Sequence, residues 1–113
     1  MKRNEKIAEI MGFKLQHGLT SDGLNWDFYQ VGPNHQMGIG KFNPKIDTDS
    51  AELLENKMVA DGWEIRMVHR ICGSYFFEAI NDRDMNYFNT EKNTKPAALF
   101  ELFCKVYGIT DEN

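Results

Sequence analysis

Residues 63–80 read WEIRMVHRICGSYFFEAI, and the alternation in this stretch decides the fold. Trp63, Ile65, Met67, His69 and Ile71 fall on one side of an extended chain, with Glu64, Arg66, Val68 and Arg70 on the other, because successive strand side chains point to opposite faces. Cys72-Gly73-Ser74 supplies a three-residue turn, and Tyr75 to Ile80 returns as the second strand of a hairpin. That turn pairs Ile71 with Tyr75, His69 with Phe77 and Met67 with Ala79 on one face. Arg70 with Phe76, Val68 with Glu78 and Arg66 with Ile80 share the other. A sheet with one solvated face would not place Phe76, Val68 and Ile80 outward, so the pattern predicts helices on both sides of the sheet.

The helices are legible on either side of this hairpin. Upstream, FNPKIDTDSAELLENKMVADGW (42–63) carries Asp47, Asp49, Glu52 and Glu55, then an apolar helical pattern. Asp49 followed three residues later by Glu52 is the acidic form of a capping box, and carboxylates at that end suit the helix dipole. Ala51, Leu54 and Met58 share a face, with Leu53 beside them, and Gly62 stands where a left-handed cap ends a helix over about Ser50 to Asp61. Downstream, Thr94 caps a last helix with Pro96 in its first turn. There Leu99, Phe100, Phe103, Val106 and Tyr107 form a wide apolar stripe and Gly108 ends it. A third strand is expected around Met85 to Asn89. At the start, Ile7, Ile10 and Met11 define a short amphipathic helix over Asn4 to Met11, stopped by Gly12.

The segment from His17 to Pro44 holds much of the chain's glycine and two of its three prolines, which breaks any helical period. It reads as short strands over Trp26–Val31 and Gly38–Phe42 joined by the turn Gly32-Pro33-Asn34-His35.

At 113 residues, with 42% hydrophobic composition and 8 Phe, 4 Tyr and 2 Trp, the chain has the material for one domain (1–113) with its own core. Thirteen basic residues against 17 acidic ones give a formal charge of −4, and the basic residues are scattered, which disfavours nucleic acid as a partner. The first twenty residues alternate charged and apolar side chains, so neither a secretory signal nor a membrane span is read there, and a cytoplasmic protein is expected, with no membrane partner. Cys72 and Cys104 are too few for a disulfide framework or a four-ligand zinc site and read as reduced, buried small hydrophobes.

Chemistry-bearing patterns are weak throughout. Asp47, Asp49 and Glu52 could hold a hard cation, but the glycine-containing loop of a calcium-binding hand is missing and capping accounts for two of the three. His17, His35 and His69 lie far apart and near no ligand partner, so no metal site is read. The glycines around His35 lack the Lys-Ser or Lys-Thr pair and helix of a phosphate loop, no serine sits in a nucleophile elbow, and Cys72 has no base nearby in sequence. No catalytic residue and no cofactor are implied. Aromatic residues at 75–77 and 87–88 read as core before they read as a nucleic-acid stacking platform.

The motifs together resemble the phage ABA sandwich domain family, small proteins of bacteriophages and prophages. KIAEIMGFK (6–14) with its Met-Gly-aromatic helix end, Asn43-Pro44 before Asp47-Thr48-Asp49, GSYFFEA (73–79), and NTKPAALFELFCKVYG (93–108) with its Thr-x-Pro-x-Ala opening carry the likeness. It spans Lys6 to Gly108, and the stretch from His17 to Lys41 matches least. The resemblance implies an α+β fold, a three-layer α-β-α sandwich with helices on both faces of a small, mostly antiparallel sheet. It brings no activity and no catalytic residues.

The reading that follows is a non-enzymatic accessory protein in a bacterial host cytoplasm, acting by binding a host or phage protein. The alternative is a small-ligand, nucleotide-like binder. In either case the surface is expected in the segment Trp26 to Met37, with Trp26, Tyr29 and His35 as binding residues, because that segment spends a Trp, a Tyr and a His where no regular element needs them. The competing reading packs Trp26 and Tyr29 under the sheet as a strand. A short first helix and an open sheet edge also invite a homodimer.

Overall fold

The computed structural model describes residues 3–19, 21–33, 35–38 and 42–110, apart from the side chain of His35. In chain order these form α1 (Arg3–Ile10), β1 (Lys14–Leu19), β2 (Asn25–Gly32), β3 (His35–Gly38), α2 (Thr48–Ala60), β4 (Glu64–His69), β5 (Tyr75–Asn81), β6 (Asn86–Lys92) and α3 (Lys95–Tyr107). The class is α+β, with strands in two antiparallel three-stranded sheets, ordered β1-β2-β3 and β4-β5-β6.

Helix α3 explains how the layers assemble. Thr94 is its N-cap and accepts a hydrogen bond from Ala97 N, Pro96 occupies the first turn, and Gly108 closes it at φ +67°. Pro96, Ala98, Leu99, Phe100, Leu102, Phe103 and Cys104 are all buried. At 3.6 residues per turn, positions 98 to 104 cover roughly two thirds of the circumference, far more than the stripe a surface helix spends on one partner. The helix therefore lies between layers. It packs on β5, β6 and α2, where Thr90 Oγ1 donates to Ala98 O at 2.8 Å and Lys105 Nζ donates to Asn89 O at 2.8 Å. Toward α1, Arg3 pairs with Glu101 at 2.9 Å and lies 4.7 Å over the Phe100 ring.

The hairpin β4–β5 keeps the faces expected of it, but its register moves. His69 pairs with Tyr75, Met67 with Phe77 and Ile65 with Ala79, two positions from the expected pairing. The turn is Ile71-Cys72-Gly73, closed by Arg70 N to Ser74 O at 2.9 Å and Gly73 N to Arg70 O at 2.9 Å. Gly73, at φ +97°, takes the left-handed third position that a three-residue hairpin loop requires; glycine placed there sets the turn one residue earlier than Cys72-Gly73-Ser74. Because the shift is even, no side chain changes face. Phe77 and Ala79 are wholly buried, while on the opposite face the Arg70 guanidinium lies 4.9 Å over the Phe76 ring and Val68 stays half exposed. The turn also exposes Cys72, against the expectation of burial, whereas Cys104 is buried in α3.

Other boundaries shift more. Helix α2 begins at Thr48, two residues before the expected start. β1, not expected at all, pairs with β2 from Lys14↔Gln30 to Leu19↔Asn25. Gly32 pairs with His35 where the turn was expected, but β3 starts at once, at His35, after a register irregularity between Gln30 and Gly32. Of the strand expected over Gly38–Phe42, Gly38 ends β3, residues 39–41 lie outside the described residues, and Phe42 is in no strand. Its ring is buried instead, edge-on to Phe13 at 5.4 Å and to Tyr29 at 5.8 Å.

One core cluster joins Ile7 and Ala8 of α1, Tyr29 of β2, Phe42, the apolar face of α2, Phe77 and Ala79 of β5 and the buried face of α3. Of the residues assigned to it from sequence, Leu54, Phe77, Leu99 and Phe103 are fully buried and Ile65 is partly buried against them. The first sheet contributes little to this core and extends from it. The radius of gyration is 15.5 Å and the longest extent 49 Å, against about 13 Å for a compact chain of this length.

Phe77→Ala and Phe103→Ala are each expected to cost about 3–5 kcal/mol in chemical denaturation, the scale of a large cavity; losses inside the range of surface substitutions at both would contradict these faces. Tyr107 gives a pH signature. Burial first, and then its 2.5 Å hydrogen bond to Asp61, hold the phenol protonated well above its usual range. The stability this confers is complete below about pH 10 and is lost as pH rises above it, because the unfolded phenol ionises first. Tyr107→Phe is expected to flatten the alkaline fall of the melting temperature; an unchanged slope would show that the hydrogen bond is not maintained in solution.

Candidate functional site

The sheet β1–β3 carries most of the sequence-predicted site residues, and its geometry separates them. Trp26, Phe28 and Gln30 project from one face of β2, whereas Tyr29 projects from the other. Tyr29 is buried, its ring tilted against Phe13 at 6.3 Å and edge-on to Phe42. It anchors the sheet to the core, and burial followed by the nearby Glu5 carboxylate raises its pKa. Trp26 stacks on Phe28 at 4.5 Å between centroids with 29° between planes and remains 38% exposed. His35 opens β3 opposite Gly32, and its side chain lies outside the described residues. Trp26 and Tyr29 thus do not form one site: one is a surface ring and the other a core ring.

Sequence reading missed two features of this sheet. On the Tyr29 face, toward the β1–β2 turn, His17 Nδ1 meets Asp27 Oδ1 at 2.5 Å across a directly paired position. The sequence signal was available only through the register, which β1 supplies. The other is exposed apolar surface. Leu15, on the same face as His17, is 50% exposed, Leu19 is 70% exposed, and Leu24 in the turn is 63% exposed.

The carboxylates before α2 resolve as helix capping at a different residue. Asp47, not Asp49, is the N-cap, accepting from Ser50 N at 3.0 Å and Ser50 Oγ at 2.8 Å. Two capping patterns compete in this stretch, Asp47-x-x-Ser50 and Asp49-x-x-Glu52, and tertiary packing selects the first. Ser50 is fully buried, so its hydroxyl needs a partner. The turn at Asn43, with Asp47 N bonded to Asn43 O at 2.8 Å, holds Asp47 in place. Asp49 lies exposed in the first turn, where its charge still suits the helix dipole.

Elsewhere, a cleft of about 490 Å³ is lined by Asp61, Glu64, Ile80, Asp82, Arg83 and Asp84. Its carboxylates outnumber its one cation, and Asp61 is already engaged by Lys57 at 3.3 Å and by Tyr107. At the β4–β5 turn, Cys72 Sγ lies 3.3 Å from Ser74 Oγ. Ser74 in turn donates to Glu91, which pairs with Arg70 at 2.9 Å. His69 stacks on Tyr75 at 4.1 Å. Among the described residues no group of three His, Cys, Asp or Glu side chains could hold a metal ion, and no helix is long and apolar enough to cross a membrane.

No family model, no curated protein and no solved structure matches this chain.

The two aspartates separate cleanly by experiment. Asp47→Ala is expected to cost about 1 kcal/mol, as a lost cap does, and Asp49→Ala only a few tenths. Equal losses by urea denaturation, or a larger loss at Asp49, would reverse the assignment.

Proposed function

We propose that this protein is a non-enzymatic binding module that engages a protein partner through the sheet β1–β3, most readily as an accessory protein of a phage or prophage acting on a host or phage protein in the bacterial cytoplasm. The phage setting rests on the resemblance of the sequence motifs alone. The binding reading rests on one structural observation: the sheet extends from the body and carries exposed Leu15, Leu19 and Leu24. Three leucines half or more exposed on one projecting element, Leu15 on one side of the His17–Asp27 pair and Leu19 and Leu24 on the other, cost solubility without serving the core and are available to a partner. The body supplies the rigid base, through Tyr29 in the core with Val31 and Met37 packed beside it. The outer backbone edge of β1 is open among the described strands, and such an edge also accepts a partner strand.

A photo-crosslinking residue placed at Leu19, with Val59 on α2 as the control position, tests this in expressing bacterial cells. A discrete crosslinked protein is expected from Leu19 and not from Val59, and Leu15→Asp is expected to abolish it with the melting temperature nearly unchanged. Equal crosslinking from both positions, or none from Leu19, would remove the sheet as the contact surface.

A further inference from the structure

The other face of the same sheet has its own organisation. By register, Lys14, Gln16 and Gly18 of β1 and Gln36 and Gly38 of β3 share that face with Trp26, Phe28 and Gln30 of β2. Glycines flank the two rings. A Cβ on Gly18 would stand 3.3 Å from the Phe28 ring, and one on Gly38 would stand 3.6 Å from the indole Nε1. The aromatic pair thus occupies space that side chains on the neighbouring strands would otherwise fill. Phe28 is buried at 8% exposure yet lies outside the main core cluster, so its burial comes from this face. Aromatic rings often shield strand glycines, which accounts for Phe28. It does not account for an indole stacked on Phe28 and still 38% exposed.

The surrounding chemistry narrows what could cover that indole. Lys14 is the one ionisable group among the described residues of this face; Asp27 and His17 project from the other. The remaining polar side chains are primary amides, and Gln16 and Gln36 are exposed. An anionic ligand would find a single lysine on a chain of formal charge −4, and phosphate-bearing ligands are bound by clustered cations. A cationic ligand would find no carboxylate. A neutral ring matches on both counts. The electron-rich indole face attracts polarised C–H groups, and amides, which both donate and accept, complement hydroxyl groups, which do the same.

We propose that Trp26, with Gln16 and Gln36, forms a binding site for a neutral sugar ring, the flat C–H face of a pyranose stacking on the indole and its hydroxyls meeting the flanking amides. The site is on the face opposite Leu15 and is independent of the protein contact proposed above. One stacked ring without an enclosing cavity gives weak binding, with a dissociation constant on the order of 1 mM for a short oligosaccharide.

Titration of the nitrogen-15-labelled full chain with maltotetraose, cellotetraose and chitotetraose, each to about 10 mM so that a millimolar site fills, reads the site directly. Saturable shifts are expected at the Trp26 indole N–H and the Gln16 and Gln36 side-chain amides with at least one saccharide, while the Trp63 indole stays still. Trp26→Ala is expected to weaken binding roughly tenfold or more, the scale of a lost aromatic stack. Because that change also uncovers Phe28, Gln36→Ala serves as a second variant, expected to weaken binding several-fold with the backbone amides of β1–β3 unmoved. Three results would overturn the proposal: no saturable shift at these groups with any of the saccharides, affinity unchanged in both variants, or adenosine and cytidine shifting the same signals while the saccharides do not. The last would make the face a base-stacking platform.

Discussion

The burial of α3 on most of its circumference is the constraint from which the rest of the structure follows. A helix with Ala98, Leu99, Phe100, Leu102, Phe103 and Cys104 all buried cannot be satisfied by a single sheet face. Phe77 and Ala79 of β5, the apolar face of α2, and α1 together remove it from water. Polar ties cross these layers, among them Thr90 to Ala98 O, Lys105 to Asn89 O and Arg3 to Glu101. They fix how the layers sit, while apolar burial supplies the driving force.

That arrangement leaves the first sheet free of structural duty along most of its length. Tyr29 enters the core and meets Phe13 and Phe42; Leu15 lies directly opposite it, half exposed, and beyond that pair the strands continue into solvent with Leu19 on one face and Trp26 on the other. A projecting sheet with a firm base can present side chains without altering the packing beneath them, which is why surface function concentrates on such elements. The β4–β5 turn and the cleft at Asp61 are different in kind. At the turn the polar groups are spent on one another, Ser74 and Arg70 on Glu91, and at the cleft Asp61 is engaged by Lys57 and Tyr107.

The candidate site was half legible in the sequence. The stretch from Trp26 to Met37 stood out for a Trp, a Tyr and a His beyond what the strand read over Trp26–Val31 needed, and its strand residues do lie in β2 and β3 of the projecting sheet. What could not be read was the division of labour within it. Trp26 and Tyr29 differ by an odd number of positions, so a strand sends them to opposite faces, yet which face meets the core depends on Phe13 and Phe42. β1 was invisible for a related reason: Lys14 to Leu19 is mostly exposed on both sides, so no apolar alternation marks it. Without β1 the His17–Asp27 contact and the aligned exposure of Leu15 and Leu19 had no basis.

Local chemistry alone determined a good part of this protein. The Thr94 cap, Pro96 in the first turn and Gly108 at the end delimit α3, and period-two alternation assigned the faces of β4 and β5 correctly, because capping and pleating act within a few residues. The choices left to tertiary structure were those in which two local solutions were nearly equal in energy. Asp47 and Asp49 could each cap α2, and the burial of Ser50 decided for Asp47. Phe42 could have ended a strand, and the pocket between Phe13 and Tyr29 drew it into the core. Local differences of this kind are about 1 kcal/mol, and burying one aromatic ring outweighs them.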